Sequence, residues 1–301
     1  MKTIFIDCNP QLGAVWQRVY RPDDPAVTIN TTPFEKNELP RVIGDYDIAI
    51  DDHSYMPTDL VRQCRNLKHI VFLGTGAASY MNVDELKARG VTVHTIKGYG
   101  DVAVAEHTIA LMFTAARDIA RMDRDVRAGV WTPQEGMQLN GKTLGVIGLG
   151  GIGTEVAHMG VGLGMRVAAY NRTLRQIPGV AMVDIDTLLS GADVVSMNLV
   201  LNDATRGFLS KERIARMKPG AILVNTARGA LVDEQALIEA LQSGRVRHAG
   251  LDVFHAEPLQ ADHPLAKLPN VTLTSHAAFR TLEASMTLLR RAIDIVKKII
   301  A

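Results

Sequence analysis

Gly148-Leu149-Gly150-Gly151-Ile152-Gly153 follows the apolar run Thr143–Ile147 and opens a helix-like stretch, Ile152–Leu163. A G-x-G-x-x-G string alone is weak evidence, but at the strand-to-helix turn of a βαβ unit it has a mechanical meaning. Gly148 permits the tight turn, Gly150 lets the backbone approach a pyrophosphate, and Gly153 lets the helix pack close to the strand. With Gly151 and Ile152, the turn offers unpaired N–H groups to phosphates at a helix N-terminus. The chemistry that follows is dinucleotide binding.

The end of the next strand, Arg166–Tyr170, bears on which dinucleotide. An Asp or Glu there would bind a ribose 2′-hydroxyl. The sequence has Asn171-Arg172-Thr173 instead, and no acid stands between Val156 and Val183, where Arg166, Arg172 and Arg175 are found. An acid would repel a 2′-phosphate, whereas a guanidinium can pair with it in a fork. NADP(H) is therefore expected over NAD(H), with Asn171, Arg172 and Thr173 at the ribose.

Three later segments carry groups for acid–base chemistry: Asn225-Thr226-Ala227-Arg228-Gly229, Asp252-Val253-Phe254-His255-Ala256-Glu257-Pro258 and Thr274-Ser275-His276-Ala277-Ala278. With the glycine turn, and with Gly74-Thr75-Gly76, Gly98-Tyr99-Gly100, Val104-Ala105-Glu106-His107 and Asn140-Gly141-Lys142-Thr143, they resemble the D-isomer-specific 2-hydroxyacid dehydrogenases. The pattern is nearest to NADPH-dependent glyoxylate and hydroxypyruvate reductases. The resemblance runs from about Leu67 to the C-terminus, and the preceding residues match only in texture.

The resemblance implies a catalytic Arg228, Glu257 and His276. A 2-oxo acid has a carboxylate and a ketone on adjacent carbons, and a planar guanidinium can hold both. A histidine can protonate the ketone oxygen as hydride reaches carbon. A neighbouring carboxylate orients the ring and favours imidazolium, raising its pKa. The resemblance further maps a substrate-carboxylate cradle onto Thr75 and Gly76, and puts Thr226, Ala227 and Asp252 on the cofactor side. The expected product is a D-2-hydroxy acid. His53, His107, His255 and His263 are read as structural, with His53 placed near the cleft.

The chain also departs from the family. Ala78 stands where many members have Asp, Lys97 precedes Gly98 where Pro is common, and Ala277, Ala278 and Phe279 follow His276 without a glycine. Phe279 is expected to shape the pocket. Trp131 is read either as reaching a partner subunit's site or as an ordinary dimer-core residue.

Positioning these groups requires layered α/β structure. Strand-like runs are expected at Thr3–Asp7, Asp47–Ile50, Ile70–Leu73 and Val91–His94, with a short helix Asn82–Ala88 capped by Asn82. A long helix begins at Asp101, its expected N-cap, and should be buried on more than one side. A polar connection spans Asp123–Asn140. Strands then recur at Thr143–Ile147, Arg166–Tyr170, Val194–Met197, Ala221–Val224, Ala249–Val253 and Val271–Leu273. Helices are expected at Ile152–Leu163, Ile185–Leu189, Lys211–Met217 and Glu234–Gln242, and Leu282–Ile300 should return to the first domain. The expected fold class is α/β: two doubly wound parallel-sheet domains, flavodoxin-like (1–98 plus 281–301) and Rossmann (99–280), with a cleft that closes by hinge motion.

Composition narrows the rest. Of 301 residues, 33 are Lys or Arg and 32 Asp or Glu, a net charge of +1 that argues against nucleic acid as the partner. Cys8 and Cys64 are too few for a disulfide framework or a metal cluster, so no metal is expected, and a reducing cytoplasm is. The N-terminus reads as a strand and not a signal peptide, and no apolar run approaches the ~18 residues of a membrane span. The expected partners are a small 2-oxo or 2-hydroxy acid and a second copy of the chain. Two alternatives stay open: a phosphoglycerate-type dehydrogenase and a nucleotide-sensing interaction protein of the same fold. The loop Asp51-Asp52-His53-Ser54-Tyr55, with no Lys or Arg before Arg62, argues against the former through repulsion of a phosphate by Asp51 and Asp52.

Overall fold

The structure, a computed structural model, describes all 301 residues. The chain divides into two compact units, Met1–Gly100 with Arg280–Ala301, and Asp101–Phe279.

The first unit alternates strands and helices: β1 (Thr3–Phe5), α1 (Pro10–Val19), β2 (Val27–Ile29), α2 (Leu39–Ile43), β3 (Ile48–Asp51), α3 (Thr58–Val61), β4 (His69–Phe72), α4 (Val83–Ala88) and β5 (Thr92–Thr95). The strands form one parallel sheet in the order β2-β1-β3-β4-β5. Side chains alternate between faces, as a strand's period of two requires. Ile48 and Ile50 enter one apolar cluster, and Ala49 between them enters the other. Asn82 caps α4 by accepting from the Glu85 N–H, as its sequence predicts.

The second unit comprises α5 (Asp101–Arg117), α6 (Ile119–Arg127), β6 (Thr143–Ile147), α7 (Gly151–Gly162), β7 (Arg166–Tyr170), β8 (Val180–Met182), α8 (Ile185–Gly191), β9 (Val194–Met197), α9 (Lys211–Arg216), β10 (Ala221–Asn225), α10 (Glu234–Gln242), β11 (Val246–Leu251), α11 (Pro264–Lys267) and β12 (Val271–Leu273). Its seven strands are parallel, in the order β12-β11-β10-β9-β6-β7-β8. One face packs on α8–α10 and the other on α5 and α7. Both sheets are covered on both faces, which explains their nearly continuous apolar strands.

The last helix, α12 (Leu282–Ile300), belongs to the first unit. Its buried Leu288, Leu289, Ile293 and Val296 join Trp16 and Val19 of α1 over Phe5, Ile48, Ile50 and Val71. Each such side chain contributes roughly 1.5–3 kcal/mol relative to exposure.

Two expectations are corrected. Residues 123–127, expected as connection, are the second half of α6 (Ile119–Arg127). This helix buries no residue in the single chain although Ile119, Met122 and Val126 recur at helical spacing, and Asp123–Arg127 and Arg121–Asp125 pairs support it at i,i+4. Asp101 is the first residue of α5 and not its cap. As expected, α5 is buried on more than one side, against α7 and against β10 and β11, while Val102 and Phe113 stay exposed.

Candidate active site

Parallel connection puts the C-terminal ends of β10, β11 and β12 side by side, and each of the three expected catalytic residues lies just beyond one of them. Arg228 follows β10, Glu257 follows β11 and His276 follows β12. Their loops meet, and His276 Nδ1 lies 2.7 Å from Glu257 Oε2. Glu257 Oε1 accepts from the Phe254 N–H at 2.9 Å, which fixes the carboxylate. Burial pulls the Glu257 carboxyl upward, but the His276 and Phe254 hydrogen bonds and the charges of His276 and Arg228 outweigh it and hold the group below its ordinary value. The stabilisation linked to this depressed value is present at neutral pH and is lost as pH falls through the folded-state value.

Asp252 builds the His276 loop. It is fully buried, its carboxylate accepts from Thr274 Oγ1 (2.6 Å), Ala277 N–H and Ala278 N–H (both 2.9 Å), and its carbonyl accepts from His276 N–H (2.8 Å). His107 on α5 reaches Thr274 Oγ1 at 3.0 Å. This network holds His276 at φ 51°, the left-handed region that a β-carbon disfavours. The sequence reading placed Asp252 on the cofactor side and His107 among structural residues. The structure gives both a part in positioning His276.

The Arg228 loop has its own organiser, which the sequence reading missed. Buried Asn225 accepts from the Ala227 N–H and donates to the Arg228 carbonyl, each at 3.0 Å. The Thr226 hydroxyl is turned inward to Thr108 Oγ1 at 2.8 Å. Gly229 is the closest approach: a β-carbon there would overlap the Phe254 carbonyl and the His255 N. Backbone cannot yield as a flexible side chain can, so Gly229→Ala should cost at least about 1–3 kcal/mol. A lowered thermal midpoint together with a loss of turnover is the expected result. An unchanged midpoint would remove Gly229 from this role.

The glycine turn lies at the other part of the sheet. Strand order reverses between β9 and β6, the switch point where open α/β sheets bind ligands. The turn follows β6, and Asn198 follows β9. Gly148 adopts φ 96°, and a β-carbon on Gly153 would overlap the Gly148 carbonyl oxygen. A β-carbon on Gly151 would overlap the Asp101 carboxylate, and one on Gly150 would point into open space. Asn198 Oδ1 is buried with no hydrogen-bond partner. An open approach at Gly150 beside an unsatisfied acceptor fits a dinucleotide. The Asn171 side chain accepts from the Leu149 N–H and donates to the Thr173 carbonyl, so it ties the second strand to the turn. Arg172 and Thr173 are exposed, and Arg175 donates to the Leu149 carbonyl.

In the first unit, Thr75 and Gly76 follow β4, and their backbone N–H groups have no acceptor in the chain. The Asp51–Tyr55 loop differs from the expectation. Asp51 is wholly buried, and burial together with the nearby Asp7 carboxylate raises its pKa well above the ordinary value. Asp52 is 6 % exposed and pairs with His53 Nδ1 at 2.9 Å. The loop therefore shows solvent His53 and Tyr55, not two carboxylates, because backbone turns after β3 direct the acids inward.

Comparison with known proteins identifies the family. Residues 109–278 match the family described as D-isomer specific 2-hydroxyacid dehydrogenase, NAD binding domain, and the chain belongs to that family. It is 37 % identical to a hydroxypyruvate reductase of Thermotoga maritima over 90 % of this chain and 89 % of that one. It is 40 % identical to a D-3-phosphoglycerate dehydrogenase of Archaeoglobus fulgidus over 85 % of this chain, but spans only half of that protein's length. A solved acyclic imino acid reductase in complex with NADPH and D-arginine is 29 % identical, with a TM-score of 0.86 over 100 % of this chain and 97 % of that one.

Proposed function

We propose that the protein reduces a small 2-oxo acid of the glyoxylate or hydroxypyruvate type to the D-2-hydroxy acid with NADPH. The observation that carries the reading is the 2.7 Å His276–Glu257 pair beside the Arg228 loop. With Nδ1 held by Glu257, His276 Nε2 is the nitrogen that delivers a proton to the ketone oxygen and takes one back in oxidation. Arg228 neutralises charge on the substrate's oxygens and orients the carbonyl. On the family resemblance, the N–H groups of Thr75 and Gly76 are assigned to the substrate carboxylate. Gly148, Gly150, Gly151, Ile152 and Gly153 are assigned to the pyrophosphate, Asn171, Arg172 and Thr173 to the ribose, and Thr226 and Ala227 to the nicotinamide side. When bound, the cofactor supplies the hydride. A panel of 2-oxo acids assayed with NADPH and with NADH tests the reading, and absence of turnover with every acid would overturn it.

The cofactor preference rests on exposed Arg172 and the absence of an acid at Asn171. We expect kcat/KM to favour NADPH over NADH at least roughly tenfold, about 1.4 kcal/mol. Arg172→Ala should shrink that ratio by removing a charge-assisted partner of the 2′-phosphate. Equal efficiency with the two cofactors in the unmodified protein would reject the assignment.

Hydroxypyruvate should be turned over far better than 3-phosphoglycerate. The reason differs from that first read in the sequence. Asp51 is wholly buried and Asp52 is buried and paired with His53, so rejection comes from the missing Lys or Arg between Asp51 and Val61, not from carboxylate repulsion. Comparing kcat/KM for the two substrates, each with its matching NADP(H) form, decides this. A better phosphorylated substrate would rule out the small-oxo-acid reading.

We assign the active form as a cytoplasmic homodimer. Val126, Val130 and Trp131 are 52 %, 48 % and 83 % exposed on α6 and the segment after it, an apolar surface suited to a second copy. No helix is long and apolar enough to cross a membrane. Light scattering of the purified protein gives the mass directly.

A further inference from the structure

A basic cavity in the first unit is unused by the proposed chemistry. It is an open groove of about 410 Å³ against α1 and α12, and Arg18, Arg21, Arg290 and Arg291 line it together with Met286 and Thr287. That volume is within the range of small-molecule pockets, roughly 300–1,000 Å³.

The four guanidinium groups are not equivalent. Arg290 is neutralised by a two-pronged pair with Asp24 at 2.7 and 2.8 Å and by Asp294 at 2.7 Å. These bonds hold Asp24 down to about 2 and raise Arg290 above its ordinary value. Asp24 is filled: besides Arg290 it accepts the Arg21 backbone N–H at 2.8 Å. The nearby Asp23 is taken by Lys297. Arg291 donates to the Lys97 carbonyl, a neutral acceptor that leaves its charge uncompensated. The Arg18 and Arg21 side chains have no carboxylate partner, and the nearby Asp23, Asp24 and Asp294 are already committed to other cations. Three uncompensated guanidinium groups thus share one cavity, and their mutual repulsion would be relieved by an anion.

We propose that this cavity is a binding site for a multivalent anion, a compound with two or more phosphate or carboxylate groups. Planar guanidinium forks recognise such oxyanions in a two-pronged manner, and Arg18, Arg21 and Arg291 supply donors from both helices. The committed Arg290–Asp24 pair is the rigid floor that ties α12 to the end of α1. An anion therefore clamps α1 to α12 and stabilises the first unit by preferring the folded state. The site is separate in sequence and in chemistry from Arg228 and Arg172, so it does not depend on the dehydrogenase assignment.

The test uses pyrophosphate and citrate as probes on the full-length protein. Each should raise the thermal midpoint in a concentration-dependent and salt-sensitive way. The paired substitution Arg18→Ser with Arg21→Ser should weaken the apparent affinity at least tenfold, while leaving oxo-acid reduction without added anion unchanged. Co-sedimentation with phosphatidylserine vesicles that is lost in the same pair would name a lipid headgroup as the source of the anion. Pyrophosphate binding without co-sedimentation would name a soluble metabolite. No response at millimolar probe, or a response equal in the paired variant, would overturn the proposal. So would a response kept in the paired variant and lost in Arg172→Ala or Arg228→Ala, since it places the anion in the dinucleotide or substrate site.

Discussion

His276→Ala is expected to lower the rate of reduction about 10²–10⁴-fold, the range for a positioned general acid. The thermal midpoint should move little, because the loop is held by Asp252 accepting from backbone groups that alanine retains. The pH profile carries the second half of this expectation. Reduction needs the protonated imidazole, so its rate should fall as pH rises, and oxidation should show the opposite trend. Glu257 is held below its ordinary value and remains a carboxylate through the neutral range. Glu257→Gln removes the charged partner of His276 Nδ1 and should lower the rate of reduction by loosening the ring's orientation. An unchanged rate would remove Glu257 from that role. Full activity in His276→Ala would remove the proton donor from the reading altogether.

Arg228→Lys should lower kcat/KM for the oxo acid about 10²–10³-fold, comparable to removing a donor aimed at charge that develops in the transition state. The charge is conserved in this substitution, so a large loss isolates geometry. A lysine ammonium is a point charge and cannot hold carboxylate and carbonyl oxygens together. The Arg228 guanidinium also donates to the Ala227 carbonyl at 2.6 Å, which fixes its direction and which lysine would reproduce poorly. The readout is steady-state kinetics for both variants, Arg228→Lys and Arg228→Ala. If lysine restores more than about a third of the activity, electrostatics alone explains the residue.

Much of this protein is legible in one dimension because period and punctuation are local. Thr143–Ile147, Arg166–Tyr170, Val194–Met197, Glu234–Gln242 and Leu282–Ile300 occupy the spans that their patterns predict. Each has either a continuous apolar run bounded by turn residues or an apolar stripe opened by a capping side chain, as Asp233 and Thr281 do. The elements that went unread have weak patterns. β2 and β8 are three-residue edge strands. Helix α1 did have a signal, Asn9-Pro10, with Asn9 accepting from the Leu12 N–H and Pro10 in the first turn.

The sequence by itself determined the glycine turn after β6, the alternating strands and helices of two parallel-sheet units, and the family, through which Arg228, Glu257 and His276 are proposed for catalysis. These rest on residue type, short spacing and an ordered set of motifs. Tertiary structure alone decided how the chemistry is assembled. Glu257 and His276 are 19 residues apart, and only the parallel pairing of β11 with β12 brings their side chains to 2.7 Å. The direction of a side chain at the end of a strand likewise depends on what packs around it. Asp252 could not be read as the holder of the His276 loop, nor Asp51 as a buried acid with a raised pKa, until the surrounding backbone donors and apolar walls were in place. Burial and partnership are set by residues distant in the chain, and no local pattern encodes them.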